Sequence, residues 1–376
     1  LDPLGKSQIL PYLEGLSDSG YQLNILSYEK IGISKLEIEK LNRRLKIRNI
    51  EWFKLSFRKG RFQGILRIIN GAIYTRRICE RKNLDFIHLR AILPAIIYIL
   101  SFVNKKFIYD IRSFAGQWVD SKAIKKDSML EYLFYRIEKY LINNASGLVV
   151  LDESGSDYLI ANYRVNTNYK VIPTATNLSL YVLPEINIDN SRMIKFVYLG
   201  GATFPYLPYE AISFVKHLLD LGINCSLDLI NKNDHKIINS IAKELNFPSN
   251  KIRIFSLMPE QISDYLPNYD CGLVFISNGQ WIRMCSPTKI GEYLAAGLFV
   301  LGLDGIDVLE RLSVNYKCVS VISRNQPLSE ISLEKAKYIS KQILNKDRQN
   351  ESRLLAIQKY DLQKAVMDYV DLYNKI

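Results

Sequence analysis

Histidine is scarce, with three in 376 residues, and the five cysteines (Cys79, Cys225, Cys271, Cys285, Cys318) stand apart without C-x-x-C spacing. Together they form neither a zinc pattern nor a redox motif. Isolated cysteines of this kind suit a reducing compartment, so the chain is expected to work in the cytoplasm. No D-x-D metal motif stands in a loop. No apolar run spans a bilayer: the uncharged stretch 91–104 is short of the roughly 20 residues required and contains Pro94. Solenoid repeats and low-complexity tracts are missing, and no signal peptide is visible in these residues. The sequence opens on Leu1 rather than Met, so the true N-terminus is expected upstream.

What is present is ordinary globular material, 48% hydrophobic, in a length that holds about two domains. The net charge of +12 is uneven. Residues 35–82 carry fifteen Lys or Arg against four Asp or Glu, a local balance of +11. Trp52, Phe53, Phe57, Phe62 and Ile65 interleave with Arg43, Arg44, Lys46, Arg58, Lys59, Arg61, Arg76 and Arg77. Such a surface suits anionic lipid; nucleic acid or plain solvation are the competing readings. Short apolar strands alternate with amphipathic helices, which predicts parallel α/β domains. Strands are expected at 22–27, 86–89, 106–109 and 147–151, and in a second series at 195–199, 225–230, 252–255, 271–275 and 299–301. Helices are expected at 7–18, 61–81, 93–102, 130–144 and 153–162, then at 209–221, 234–245, 260–266 and 288–296, with 333–376 helical. The hinge falls around Ile172-Pro173-Thr174.

The most informative segment is Ser286-Pro287-Thr288-Lys289-Ile290-Gly291-Glu292-Tyr293-Leu294-Ala295-Ala296-Gly297. Ser286 reads as the N-cap and Pro287 as the first helical residue. The free N–H groups and dipole of the first turn attract an anion, and Lys289 adds a full charge. Glu292, three residues on, shares its face. Gly297 ends the helix before an apolar strand. A cation at a helix N-terminus followed by a carboxylate suits a nucleotide sugar: diphosphate on the first, ribose diol on the second.

This segment resembles the donor site of family 4 glycosyltransferases, retaining enzymes of the GT-B fold. Glu292 matches the second Glu of the family's E-x7-E pattern, and Met284 stands where the first belongs. The resemblance continues in order along nearly the whole chain. Leu1-Asp2-Pro3-Leu4-Gly5-Lys6-Ser7-Gln8 resembles the loop after the first strand, which implies that this strand lies upstream. Phe107-Ile108-Tyr109-Asp110-Ile111-Arg112-Ser113-Phe114 resembles the segment F-D-x-R-x-F/W, and Glu138 lies in a helix the family shares. Val171 to Leu178 resembles the hinge, and Phe196-Val197-Tyr198-Leu199-Gly200-Gly201 the start of the second domain. Phe204-Pro205-Tyr206-Leu207 replaces the usual Lys-Gly nearby. Met258 falls where the family cradles the base with backbone groups, and Asp270 reads as structural.

The resemblance implies two Rossmann-like domains with a cleft between them. The acceptor domain is expected at 1–172, the donor domain at 173–355, and a helix at 356–376 returning to the first. It implies catalytic roles for Arg112, Asp110 and Lys289. Donor contacts would come from Glu292, Lys289, Ser286, Pro287, Thr288, Gly200, Gly201, Arg283, Met258 and Gly5, and acceptor contacts from His88, Arg90 and Lys6. No metal or cofactor is expected; the co-substrate is a nucleotide-diphosphate sugar. With no carboxylates paired for double displacement, the resemblance implies retention by same-face attack, helped by stabilisation of the leaving phosphate. The acceptor is expected to be a lipid-linked or growing surface glycan (capsule, O-antigen or exopolysaccharide). The protein is expected to sit peripherally on the anionic inner face of the membrane and to bind no nucleic acid. An epimerase or hydrolase, and a silent GT-B binding protein, are the rival readings.

Overall fold

The computed structural model describes residue 5 and residues 8–30, 35–57, 63–184 and 192–376. The chain forms two compact units, one of Leu1–Pro173 with Leu362–Ile376 and one of Thr174–Asp361. Lys6 and Ser7 of the first loop, and the basic run 58–61, lie outside the described residues.

In the first unit, β1 (Leu23–Lys30) and β2 (Ile50–Phe57) make a parallel pair. A separate parallel sheet runs β3 (Phe86–Arg90), β4 (Lys106–Asp110), β5 (Gly147–Val150), β6 (Asn168–Val171) in that spatial order. Sequence reading missed β2 and β6. Glu51 and Lys54 interrupt the apolar pattern of β2, and β6 is a four-residue strand of largely polar composition. β4 and β5 are almost entirely buried, as parallel strands covered on both faces must be.

The expected basic surface over 35–82 is not one surface. The Lys35–Ile47 helix packs beside the Leu10–Asp18 helix, through Leu10, Leu45 and Ile50 and through ion pairs of Arg44 and Arg48 with Glu14. The Gln63–Arg81 helix instead packs along the Ile92–Ser101 helix.

The second unit holds one six-stranded parallel sheet: β7 (Ile194–Leu199), β8 (Cys225–Ile230), β9 (Ile252–Phe255), β10 (Cys271–Val274), β11 (Phe299–Leu303) and β12 (Val319–Ile322). Its order is β12-β11-β10-β7-β8-β9, a doubly wound sheet whose direction of travel reverses between β7 and β10. Ligands of such sheets bind beyond the carboxyl ends of the strands at that reversal. Alternate residues feed two cores. Phe196 and Tyr198 of β7 join Leu227, Phe275 and Phe299 on one face, while Val197 joins Val274, Leu294 and Val300 on the other. Each such side chain contributes about 1.5–3 kcal/mol on full burial.

Asp270, read as structural, accepts hydrogen bonds from Arg192 (2.9 Å) and from the backbone N–H of Lys195 (2.9 Å), at the entry to β10. The Asp307–Asn315 helix and β12 were not anticipated. The C-terminal stretch forms three helices, Leu333–Ile343, Arg348–Lys359 and Leu362–Tyr373. The last belongs to the first unit and packs on the Leu10–Asp18 helix.

Candidate functional site

At the strand reversal of the second unit, β7 ends in the turn Gly200-Gly201. A Cβ on Gly200 would lie 2.8 Å from the Tyr206 ring and 3.1 Å from Lys289 Nζ, so only glycine admits this approach. The turn is shaped from below by Asn231, which follows β8. Its amide donates to the Gly200 carbonyl (2.7 Å), and its oxygen accepts the N–H of Asn233 (2.9 Å). Asp234 then accepts the N–H of Ala202 (2.9 Å), and Ser256 Oγ donates to the Asn231 carbonyl (2.8 Å). The loops after β7, β8 and β9 are thus tied into one rim.

Facing that rim is the Thr288–Ala295 helix. It starts at Thr288, as the expected range 288–296 has it, but Pro287, not Ser286, is the N-cap, and no side chain caps the helix. Ser286 Oγ is buried without a hydrogen-bond partner. Tyr293 seats the helix, its ring lying flat on Gly272 of β10 and its hydroxyl accepting the N–H of Leu199 (2.8 Å). That bond joins the helix to the residue before the glycine turn.

Lys289 is 5% exposed, and its Nζ has no hydrogen-bond partner among the described residues. It lies over the rings of Tyr198 (4.8 Å) and Tyr206 (4.5 Å). Burial pulls its pKa down to about 7, with Glu292 and Cys285 opposing the shift. Burial pushes Glu292 up to about 7, with Lys289 opposing. An ammonium between two π faces, beside a helix N-terminus and a glycine turn, has the chemistry to attract an anion. Ser277 Oγ, beyond β10, is a further buried hydroxyl without a partner among the described residues; its backbone N–H donates to the Pro205 carbonyl (2.7 Å) beside Tyr206.

Other expected donor residues behave differently. Arg283 is committed elsewhere: its Nε (2.9 Å) and Nη2 (2.7 Å) both bond to Asp307 Oδ1, so its charge is spent on the head of the Asp307–Asn315 helix. Met284 is buried and offers no carboxylate at the position of the family's first Glu. Met258 is exposed after β9, its N–H donating to Gln261 (2.8 Å). Thr288 opens the helix at half-burial.

The expected residues of the first unit form a second cluster, at the carboxyl ends of β3 and β4. Asp110 is 0% exposed. It meets Arg112 (2.9 Å), Arg90 (3.1 Å), His88 Nε2 (3.3 Å) and the Tyr369 hydroxyl (2.9 Å). His88 Nδ1 contacts the Tyr373 hydroxyl (2.6 Å), and Arg112 donates to Tyr369 (2.8 Å). Burial alone would raise the Asp110 pKa, but Arg112, Arg90 and His88 outweigh it and hold the carboxyl well below the usual range. The Asp110 carboxylate is sealed from solvent and encircled, and it fixes two guanidinium groups. Arg112 Nη1 is buried without a hydrogen-bond partner. Gly5 is buried, with its carbonyl accepting the N–H of Ile9 (3.2 Å).

Tyr198, Tyr206, Asn231 and Ser277 were missed. Tyr206 had a signal: it sits in the segment that replaces a Lys-Gly pair of the resembled family, and its ring now occupies the turn.

No protein-family model matches the sequence, and no curated protein matches it. Solved structures do. The chain is similar to sucrose-phosphate synthase from Thermosynechococcus elongatus, with a TM-score of 0.71 at 12% identity over 97% of this chain and 91% of that one. It is similar to a glycosyltransferase from Rickettsia africae, with a TM-score of 0.66 at 16% identity over 97% and 93%. It is also similar to Anabaena HepE in complex with UDP-glucose, with a TM-score of 0.65 at 11% identity over 98% and 95%. At these identities the likeness is one of fold, and the fold is GT-B, built from two Rossmann-like domains.

Proposed function

We propose that the protein is a retaining glycosyltransferase of family 4 type, moving a hexosyl group from a nucleotide-diphosphate sugar to a lipid-linked or growing surface glycan. The observation that carries this reading is the buried, unpartnered ammonium of Lys289, set at a helix N-terminus against the glycine turn of a doubly wound sheet. HepE, of the same fold, is a complex with UDP-glucose. In this chain the diphosphate lies against Lys289, the Thr288–Ala295 N-terminus and Gly200-Gly201. Glu292 accepts from the ribose diol, and backbone groups around Met258 face the base.

Chemistry follows from charge. As the bond from the anomeric carbon to the diphosphate oxygen breaks, negative charge collects on that oxygen beside Lys289, where a dry site makes the ammonium most effective. The acceptor hydroxyl attacks from the same face, its oxygen bonds to the anomeric carbon, and its proton passes to the leaving phosphate. On the acceptor side, Arg112 and Arg90, aimed by Asp110, meet the incoming glycan together with His88; Lys6, outside the described residues, is a further acceptor candidate from the sequence, and Gly5 a donor one. No metal is assigned to the step. The protein works in the cytoplasm at the inner face of the membrane. Among the described residues, no helix is long and apolar enough to cross a bilayer.

The test is calorimetric titration with UDP, GDP, ADP and dTDP and their sugars, with Glu292→Ala in parallel. One nucleotide class should bind, and the variant should keep its fold and lose at least about tenfold in affinity or turnover, which is ~1.4 kcal/mol. Near-wild-type binding by Glu292→Ala would overturn the site. Donor binding without sugar transfer to any glycan acceptor would favour a silent binding protein, and donor turnover without an acceptor an epimerase or hydrolase. The anomeric configuration of the product, read by NMR, tests retention.

A further inference from the structure

Three helices of the first unit lie side by side. The steps β3 to β4 and β4 to β5 run in one direction, so right-handed crossovers put the Ile92–Ser101 and Met129–Asn144 helices on the same face of the sheet. The Gln63–Arg81 helix joins them, because Gly71 lets it close on Ile97 of the middle helix. Tyr98, also of the middle helix, feels both Cys79 on one neighbour and Tyr140 on the other.

The outward side of this layer is apolar. On the first helix Ile65, Ile69 and Ile73 repeat at helical spacing and are 62%, 47% and 43% exposed. The middle helix has no charged residue, and Leu93 and Leu100 lie outward on it. On the third, Met129 is 89% exposed and Tyr132 62%. Most of the unit's large exposed apolar side chains fall on these three helices or the residue that ends the middle one, Phe102, at 84%. Isolated apolar residues on a surface need no explanation; a sheet of them across three adjacent helices does.

The rim is basic. Lys125 and Lys126 precede the third helix, Arg136 and Lys139 lie on it, and Arg77 ends the first helix's stripe, none of them in an ion pair among the described residues. Of the acidic groups nearby, Glu80 pairs with Arg76 (2.9 Å), and Glu131 accepts the N–H of Asp127 (2.5 Å); Asp127 and Glu131 together do not match Lys125, Lys126, Arg136 and Lys139, so the rim stays net positive. Arg136 lies 5.8 Å over the Tyr132 ring, an arginine–tyrosine pair that suits the boundary between headgroups and acyl chains. An apolar centre with a cationic rim is complementary to an anionic bilayer surface, and the rim repels a second copy of itself.

We propose that this three-helix face, rather than the basic stretch 35–82 as a whole, is where the protein docks on anionic lipid. It rests on the membrane-bound part of the function proposed above, and not on the transferase. The experiment is co-sedimentation of the full chain with phosphatidylcholine vesicles, with and without phosphatidylglycerol, at low and high salt. Two variants are compared, Ile69→Ser with Met129→Ser, and Lys126→Glu with Arg136→Glu. All four positions are exposed, and melting curves check their folds. Wild type should sediment with the phosphatidylglycerol vesicles only, and each variant should bind at least about tenfold more weakly, the charge-reversed one losing its salt dependence. Wild type that stays in solution, or binding that neither variant weakens, overturns the proposal. So does a concentration-dependent dimer that the serine variant dissolves, which would make the face a self-association surface. Nucleotide titration of the same variants keeps the two readings apart, because donor binding should be unchanged in both.

Discussion

Nucleotide binding to the second unit should carry a proton with it. Lys289 is buried with no hydrogen-bond partner for Nζ among the described residues, and burial pulls its pKa down to about 7. A diphosphate placed against Nζ restores the reason to be charged. At pH 8 a group with a pKa of about 7 is roughly one-tenth protonated, so pairing takes up about 0.9 proton. Glu292, also near 7, is already mostly ionised there and adds little. Titration calorimetry at pH 8 in buffers of different ionisation enthalpy reads this number directly. Lys289→Met keeps the length of the side chain and should bind nucleotide weakly with no uptake. The same residue fixes a stability trend. Its folded pKa lies below its unfolded one, so the unfolded chain holds the extra proton between about pH 7 and 10.5, and wild type gains stability as pH rises through that window. The gain is on the order of a few kcal/mol, at about 1.4 kcal/mol per unit. Lys289→Met should flatten that slope and leave the free protein as stable at neutral pH, or more so. Wild type that binds without uptake, or a methionine variant that takes up the same proton, refutes the argument.

Asp110→Asn leaves Arg112 and Arg90 against a neutral amide and should cost about 3–5 kcal/mol in urea unfolding at pH 7. Because the folded carboxyl is held low, that contribution should fade as pH falls below the ordinary carboxylate range. Glu138 is 0% exposed, accepting from the Ala115 N–H (2.5 Å) and Tyr163 hydroxyl (2.8 Å), and burial pushes it up to about 7. Its folded pKa exceeds its unfolded one, so wild type should lose stability as pH rises from about 4.5 to 7, and Glu138→Gln should not; parallel urea profiles at pH 5 and 8 would contradict this. A Cβ at Gly272 would meet the Tyr293 ring at 2.2 Å. Gly272→Ala should lower stability by about 1–3 kcal/mol and weaken nucleotide binding by shifting the Tyr293–Leu199 bond.

The two series of alternating elements and the helix after Ser286 were legible because hydrophobic period and capping residues are local signals. The convergence of His88, Arg90, Arg112 and Asp110 was legible as strand ends only. What binds them into one node is Tyr369 and Tyr373, far along the chain, which no spacing rule reaches. Tyr198 and Tyr206 read as core and loop; their contact with Lys289 depends on a turn of the backbone between them. Ser286 read as a cap because its residue type favours that role, whereas Pro287 takes the cap position and the Ser286 hydroxyl has no partner among the described residues. Arg283 read as a spare charge until Asp307, in a helix not foreseen, claimed it.

The Leu362–Tyr373 helix sets an order of events for the whole chain. The first unit is synthesised first, yet its central carboxylate receives Tyr369 only when the last helix emerges. Until then Asp110, Arg112 and His88 are short of partners that complete their burial. The second unit is continuous in sequence and needs no residue beyond Asp361 to close. The half whose sequence begins earlier is therefore completed later, and a chain cut before Leu362 keeps the second unit whole and leaves the first without this helix.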